Sequence, residues 1–97
     1  MTRYVLEELQ PFHWSSEESV AYEAALEAIG EAIGAYTAVI ADERAKPVPD
    51  RHRIDAWLQA RQGCAQRRQH LDPTNHEDIQ QVRRYYSTLA RNTGPSK

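Results

Sequence analysis

Apolar side chains follow a helical period through the first half of the chain. Beginning at Tyr22 they recur at spacings that alternate between four and three residues, and this stripe consists of Tyr22, Leu26, Ile29, Ile33, Tyr36 and Ile40. Such spacing is typical of a helix with one apolar side, whereas a strand would alternate with a period of two. Ser15 and Glu18 form a capping box ahead of the stripe, and Pro47 follows it. We therefore predict a first helix over about 15–45.

A second, shorter helix is predicted after the break at Pro47. Asp50 is a suitable N-cap, so this helix should cover about 50–71. Trp57 lies on its apolar side, and Arg61 and Arg68 fall on the same side, whereas glutamines occupy the opposite one. The second helix therefore presents arginines where apolar residues are expected.

A third helix is indicated after the second turn. Thr74 and Glu77 form another capping box, and the apolar residues that follow recur at spacings of three, four and three: Ile79, Val82, Tyr86 and Leu89. We predict this helix over about 75–92. Both connections are short, so consecutive helices should be antiparallel neighbours. The sequence thus predicts an all-α fold, a three-helix up-down-up bundle with a long first helix, in which an antiparallel helical hairpin is followed by a third helix.

Two terminal segments fall outside this three-helix domain of residues 15–92. Residues 1–14 form an apolar arm, in which Pro11 prevents a helix from continuing into the first predicted one. Phe12 and Trp14 of the arm either fold back onto the bundle or insert into a partner protein, because aromatic anchors dominate interfaces. Residues 93–97 are predicted to be a flexible tail.

The hairpin predicts which residues of the first two helices face each other. If the chain turns about Pro47, facing residues have numbers that add up to about 97. Arg61 then lies against Tyr36 and can stack on its ring, and Arg68 lies against Ile29. A row of like charges on the first helix, Glu23, Glu27 and Glu31, calls for a positive group nearby, which Arg68 could supply. A protein partner or a phosphate-bearing ligand for these arginines stays open.

The first helix has more apolar surface than one neighbour can cover. Helical projection spreads its apolar and small residues over an arc of roughly 200°. Two neighbours in the same chain could cover that arc, and so could one neighbour and a second copy of the protein. Gly30 and Gly34 each cost about 1 kcal/mol relative to alanine in mid-helix. They indicate either close approach of another backbone or a bend.

Charge is divided by position along the chain. Residues 1–43 hold nine acidic side chains and one basic one, whereas residues 44–97 hold eleven basic and five acidic ones. The formal net charge of −2 conceals this division. It indicates either a basic partner-binding surface or two segments of one fold that lie against each other.

Several arginines have no evident acidic neighbour and are candidates for partner binding. They are Arg51, Arg53, Arg67, Arg84 and Arg91. The same groups suit phosphates, so nucleic-acid binding by the second and third helices is an alternative function. Against it, the chain is slightly acidic overall, and acidic residues crowd the start of the third helix.

The sequence offers little for catalysis or cofactor binding. Its single cysteine, Cys64, is expected to be a small buried residue, because one isolated thiol makes a poor zinc site. A polar cluster around the second turn matches no metal-ligand spacing and is expected to cap helices: His70, Asp72, His76 and Asp78. We therefore expect no enzyme activity, cofactor, metal or small-molecule substrate.

Length and composition favour one small domain that works by contact with another macromolecule. A chain of 97 residues buries only roughly 60–65% of its unfolded surface, so its stability is thin or shared with a partner. No apolar run approaches the roughly 20 residues of a membrane span, so we expect a cytoplasmic protein with no membrane partner. The predicted function is a non-enzymatic protein–protein interaction module with a regulatory or adaptor role, acting as a homodimer or as a subunit of a larger complex.

Overall fold

The computed structural model describes residues 16–94 and contains three α-helices. Helix α1 is Ser16–Arg44, α2 is Arg51–Gln69 and α3 is His76–Thr93. The described part of the chain has no strand, so the predicted all-α three-helix fold is confirmed, with bounds within two residues of those expected. The predicted arm at 1–14, the cap at Ser15 and the end of the predicted tail lie outside the described residues.

The caps of the two shorter helices follow from side chains at the turns. Asp50 caps α2 as predicted, since its Oδ1 accepts a hydrogen bond from the Arg53 amide at 3.2 Å. The prediction that Thr74 caps α3 is wrong, because Asn75 is the N-cap and accepts from the Asp78 amide at 3.1 Å. The amide and hydroxyl of Thr74 instead donate to Asp72, which lowers the pKa of that carboxyl.

The turn between α1 and α2 is organised by a buried carboxylate. Glu43 exposes only 4% of its surface. Its Oε1 lies 2.9 Å from Lys46 Nζ, and its Oε2 accepts from the Asp50 amide at 3.0 Å. These contacts, the Asp50 amide first, lower the pKa of the Glu43 carboxyl. The charged form of Glu43 therefore stabilises the hairpin.

We expect stability to depend on pH through Glu43. A carboxyl whose pKa is lowered by folding stabilises the protein above its unfolded-state pKa, and that contribution is lost as pH falls through the folded-state pKa. Replacing Glu43→Gln should lower the Tm at pH 7, and the difference from the unsubstituted chain should shrink below about pH 5. Thermal unfolding followed by circular dichroism between neutral and acidic pH measures this. The exposed neighbour Asp42, changed to Asn, is the control; a difference for Glu43→Gln that is constant with pH would contradict the prediction.

The hairpin register is close to that predicted, but the arginine contacts differ. Arg61 Nη1 donates to Thr37 Oγ1 at 3.1 Å, so facing residues have numbers that add up to 98. The expected stacking of Arg61 on Tyr36 is therefore replaced by a hydrogen bond to the next residue. Arg68 is exposed and does not lie in the seam as predicted.

Helix α3 runs along the N-terminal part of α1. His76 Nε2 lies 2.7 Å from Glu18 Oε2, which places the starts of the two helices side by side. Ala21 lies beside Ile79 in the same region. Three further alanines of α1 follow Ala21 at intervals of one helical turn, and all three are buried: Ala25, Ala28 and Ala32. Small side chains on this side let the two helices approach closely.

Half of the predicted stripe, Ile29, Tyr36 and Ile40, is buried in the core. The largest fully buried side chains of the core are Ile29, Ile40 and Ile79. Tyr36 and Cys64 are also buried, the latter as predicted. Tyr22, Leu26, Ile33 and Trp57 are partly buried and pack against this core. The buried side of α1 is therefore centred closer to its alanines than the large residues of the stripe alone indicate.

Helix α1 contacts both other helices, whereas α2 and α3 do not contact each other through their backbones. Within the described helices, no Cα atom of α2 lies within 8 Å of a Cα atom of α3. The wide apolar arc of α1 thus has two neighbours in the same chain. A second copy is not needed to account for the width of that arc.

Helix α1 is the one described helix that is long and apolar enough to cross a membrane, judged by length and composition alone. Over Glu17–Arg44 its most apolar window has a mean hydropathy of 1.4. The core helix of a soluble protein passes the same test, and here one side of α1 packs against α2 and α3. Cytoplasmic location therefore stays a prediction.

Candidate interaction surfaces

A groove opens between α2 and α3, above the buried ring of Tyr36. Its volume is about 530 Å³ and one side faces solvent. Ala60, Gly63, Cys64, Gln66, Arg67 and His70 of α2 and its end form one wall, and Tyr85, Tyr86 and Leu89 of α3 form the other. The groove exists because α2 and α3 each pack on α1 and have no Cα atoms within 8 Å of each other.

The groove is predominantly apolar. Burial raises the pKa values of the Cys64 thiol and the Tyr86 hydroxyl above their ordinary values. Tyr85 packs edge-on against Tyr86, with ring centroids 4.9 Å apart, yet 61% of Tyr85 is exposed. A large aromatic surface at the mouth of a groove is a recurrent feature of peptide-binding sites.

One ion pair joins the two walls at the end of the groove. Arg67 Nη2 lies 2.6 Å from each carboxylate oxygen of Asp78. The expectation that Arg67 lacks an acid within the chain is therefore wrong. The pair is not evident from the sequence, because Asp78 comes beside Arg67 only when the second turn folds the start of α3 back along the end of α2. Its role as a partner-binding residue stays a prediction.

The outward face of α1 carries glutamates without a basic neighbour. Glu23, Glu27 and Glu31 are all exposed, and no basic side chain of residues 16–94 forms an ion pair with them. The positive group expected beside them is therefore not Arg68. Like charges one turn apart repel each other by a few tenths of a kcal/mol per pair.

Gly30 and Gly34 open onto the same outward side of α1. A Cβ atom built on either glycine would meet nothing within 4 Å. Close approach of α2 or α3 therefore does not explain these glycines. The interpretation that another backbone of the same chain approaches them closely is wrong. Together with the three glutamates they form a face that we name the acidic face: Glu23, Glu27, Gly30, Glu31 and Gly34.

The outward face of α3 has the opposite charge. Arg83, Arg84 and Arg91 line one shallow surface together with Gln80, Ser87 and Thr88. The three arginines are exposed. Among the described residues none of them pairs with an acid, although Arg91 Nη2 lies 3.5 Å from Thr88 Oγ1. We name Arg83, Arg84 and Arg91 the basic face.

The other predicted partner-binding residues are spread over the molecule. Arg51 and Arg53 are exposed at the start of α2. The Arg53 guanidinium lies 5.1 Å from the ring centroid of Trp57, so part of its charge interacts with an aromatic face. Phe12 and Trp14 lie outside the described residues. The structure thus brings Arg84 and Arg91 together and leaves Arg51 and Arg53 at a distance along another helix.

The polar cluster at the second turn is occupied by structural contacts. His70 Nδ1 lies 2.7 Å from the Gln66 carbonyl, Asp72 accepts from Thr74, and His76 lies against Glu18. Within residues 16–94 no group of three or more His, Cys, Asp or Glu side chains could hold a metal ion. Each of these polar groups has a partner that explains its position.

Sequence reasoning missed the groove, although the residues that form it were visible. Tyr85 and Tyr86 are adjacent in the sequence, and their rings pack edge-on in the α3 wall. The signal for an open wall is the pairing of small residues on α2, Ala60 and Gly63, with aromatic residues on α3. That pairing indicates a groove only once it is known that the backbones of α2 and α3 do not contact each other.

Comparison of the chain with protein-family models, with curated proteins and with solved structures found no match.

Proposed function

We propose that this chain is a non-enzymatic protein–protein interaction module that acts as a homodimer or as a subunit of a larger complex. The observation that carries the proposal is the acidic face of α1, with three exposed glutamates that have no basic partner in the described part of the chain. A protein partner with arginines would relieve the repulsion along this row.

The geometry of the acidic face also supports a protein partner. Gly30 and Gly34 leave room beside the backbone of α1, so a second helix can approach closely there. A second copy of the chain would supply suitable charges, because Arg84 and Arg91 are exposed on the basic face of α3. If the acidic face of one copy contacts the basic face of another, the glutamates and arginines of the two faces can form ion pairs.

We expect charge reversal on the acidic face to weaken self-association. Glu27→Arg places a positive charge opposite the arginines of the second copy and should raise the Kd for dimer formation roughly tenfold. Arg84→Glu alone should have a similar effect, and the two substitutions together should restore much of the affinity. Sedimentation equilibrium over a range of protein concentrations measures these constants.

The control for this experiment is Asp55→Arg, which makes the same charge change at an exposed position on α2. It should leave the Kd within about twofold, because isolated surface charges contribute little. A monomer at roughly tens of micromolar that unfolds cooperatively would overturn the homodimer. In that case affinity purification from the native cells tests whether the chain is a subunit of a larger complex. The unsubstituted chain and the Glu27→Arg variant are purified in parallel. If both retain the same proteins, the acidic face has no role in binding them.

The basic face of α3 favours a second candidate function, nucleic-acid binding. Arg83, Arg84 and Arg91 lie on one side of one helix without acidic partners in the described region. Phosphate contacts make binding steeply dependent on salt, so mobility shifts at low and moderate salt test this candidate. Arg84→Ala should weaken binding and reduce the salt slope by about one. Absence of a shift at low salt would exclude it.

A further inference from the structure

We propose that the groove between α2 and α3 is the docking site of this chain's own first fourteen residues. The groove has an apolar floor at Tyr36 and an aromatic wall at Tyr85 and Tyr86. Its position on α1, between two helices whose backbones do not approach each other closely, is the one that a fourth helix takes in a four-helix bundle. An elongated apolar segment fits such a groove better than a compact ligand.

Three residues of the α2 wall, Ala60, Gly63 and Cys64, are small and leave space for another backbone. A Cβ atom added at Gly63 would meet nothing within 4 Å, and Ala60 lies one turn before it on the same wall. Large side chains of a docking segment can therefore lie between Gly63 and the rings of α3. This feature distinguishes the groove from the acidic face of α1, where small residues stand without any aromatic surface.

The composition of residues 1–14 matches the groove. They contain six large apolar side chains, Tyr4, Val5, Leu6, Leu9, Phe12 and Trp14. Burial of such side chains contributes about 1.5–3 kcal/mol each relative to full exposure. No other stretch of this length in the chain has so many, and residues 1–14 immediately precede the helix that forms the floor of the groove.

The charges of the segment and the groove are complementary. After Arg3 the segment has no basic residue and carries Glu7 and Glu8. Arg67 and His70 line the groove, and Arg84 lies beside Tyr85 and Leu89 at its outer edge. The only acid that contacts these basic groups in the described part is Asp78, which is paired with Arg67. The two glutamates of the segment can therefore meet Arg84, which has no acidic partner among the described residues.

The segment is long enough to reach the groove. Ser16 begins α1, and Tyr36 lies twenty residues further along that helix, about 30 Å away at 1.5 Å per residue. Fourteen extended residues span at most roughly 46–50 Å. The end of the groove at Arg67 and His70 is nearer to the start of α1 than Tyr36 is, because Arg67 is paired with Asp78 in the first turn of α3. Docking within one chain is therefore sterically available.

Disulfide trapping in the full-length chain tests the proposal. With Cys64→Ala as background, one variant carries Thr2→Cys and Gly63→Cys, and the other carries Thr2→Cys and Gly34→Cys, because Thr2 lies fourteen residues before the start of α1 and the tether can span either distance. Gly34 lies two residues before Tyr36 along α1 but on its outward side, so the two targets are at similar distances along the tether. Because the segment is tethered to α1, both cysteine pairs have a raised effective concentration. Docking in the groove is needed to make one disulfide form faster than the other.

At low protein concentration and mild oxidation we expect the Gly63 variant to form an intramolecular disulfide roughly tenfold faster than the Gly34 variant. Non-reducing electrophoresis follows the reaction, and circular dichroism checks that both variants fold. If Gly63→Cys does not fold, Gln66→Cys on the same wall replaces it. Equal rates, no intramolecular product from either groove variant, or disulfides only between chains would overturn docking within one chain.

Discussion

Replacing Ile29→Ala should reduce the free energy of unfolding by about 2–5 kcal/mol, the range for removing a large buried aliphatic side chain. Ile29 has no exposed surface and lies near the middle of α1, the helix that contacts both others. A domain of this size has a total stability of only about 5–15 kcal/mol. The substitution should therefore remove a large part of that stability, and urea denaturation followed by far-ultraviolet circular dichroism measures it.

The control for Ile29 is a residue of similar chemistry on the opposite side of the same helix. Val20 is 64% exposed, so Val20→Ala should change the free energy of unfolding by less than about 0.5 kcal/mol. Equal losses for the two substitutions would contradict the assignment of Ile29 to the core. Such a result would mean that the outward side of α1 is buried in solution.

Replacing both Gly30→Ala and Gly34→Ala should raise the free energy of unfolding by about 1–2 kcal/mol. Glycine in mid-helix costs about 0.5–1 kcal/mol relative to alanine, and neither new Cβ would touch another atom of the chain within 4 Å. The stabilisation should be visible in urea denaturation at low protein concentration, where any dimer has dissociated.

Gly63→Ala gains the same helix propensity in α2, but its added methyl group meets the segment docked in the groove, so the net stabilisation should be smaller than that for either glycine of α1. If the acidic face is covered in a complex, the two alanines on α1 should additionally weaken association, whereas Gly63→Ala should not. A loss of stability for the α1 pair at low concentration would contradict the open environment of these glycines.

Much of the fold was predictable because its elements are local. The four-and-three spacing from Tyr22 to Ile40 and the proline at Pro47 define α1 and the first turn, and Asp50 is a cap that needs only its own helix. Thr74 failed as a cap because its hydroxyl donates to Asp72, two residues earlier. A capping-box pattern does not reveal which of two adjacent polar residues is already bonded.

The relation between helices was only partly predictable. The predicted stripe consists of large apolar residues, and two of them, Leu26 and Ile33, are only partly buried. The buried centre includes Ala25 and Ala28, where small side chains determine how closely α3 approaches. No local pattern indicates that α2 and α3 diverge, and the groove follows from that divergence alone.

Because α1 makes all the backbone contacts between helices in the described structure, the fold is connected as a branched network and not as a closed ring. Opening of α3 would leave the α1–α2 hairpin with its contacts at Glu43 and Thr37 intact. Amide hydrogens of α2 and α3 should then exchange with different opening free energies, both below that of the α1 amides. Each outer helix can unfold and refold on the surface of a helix that stays formed.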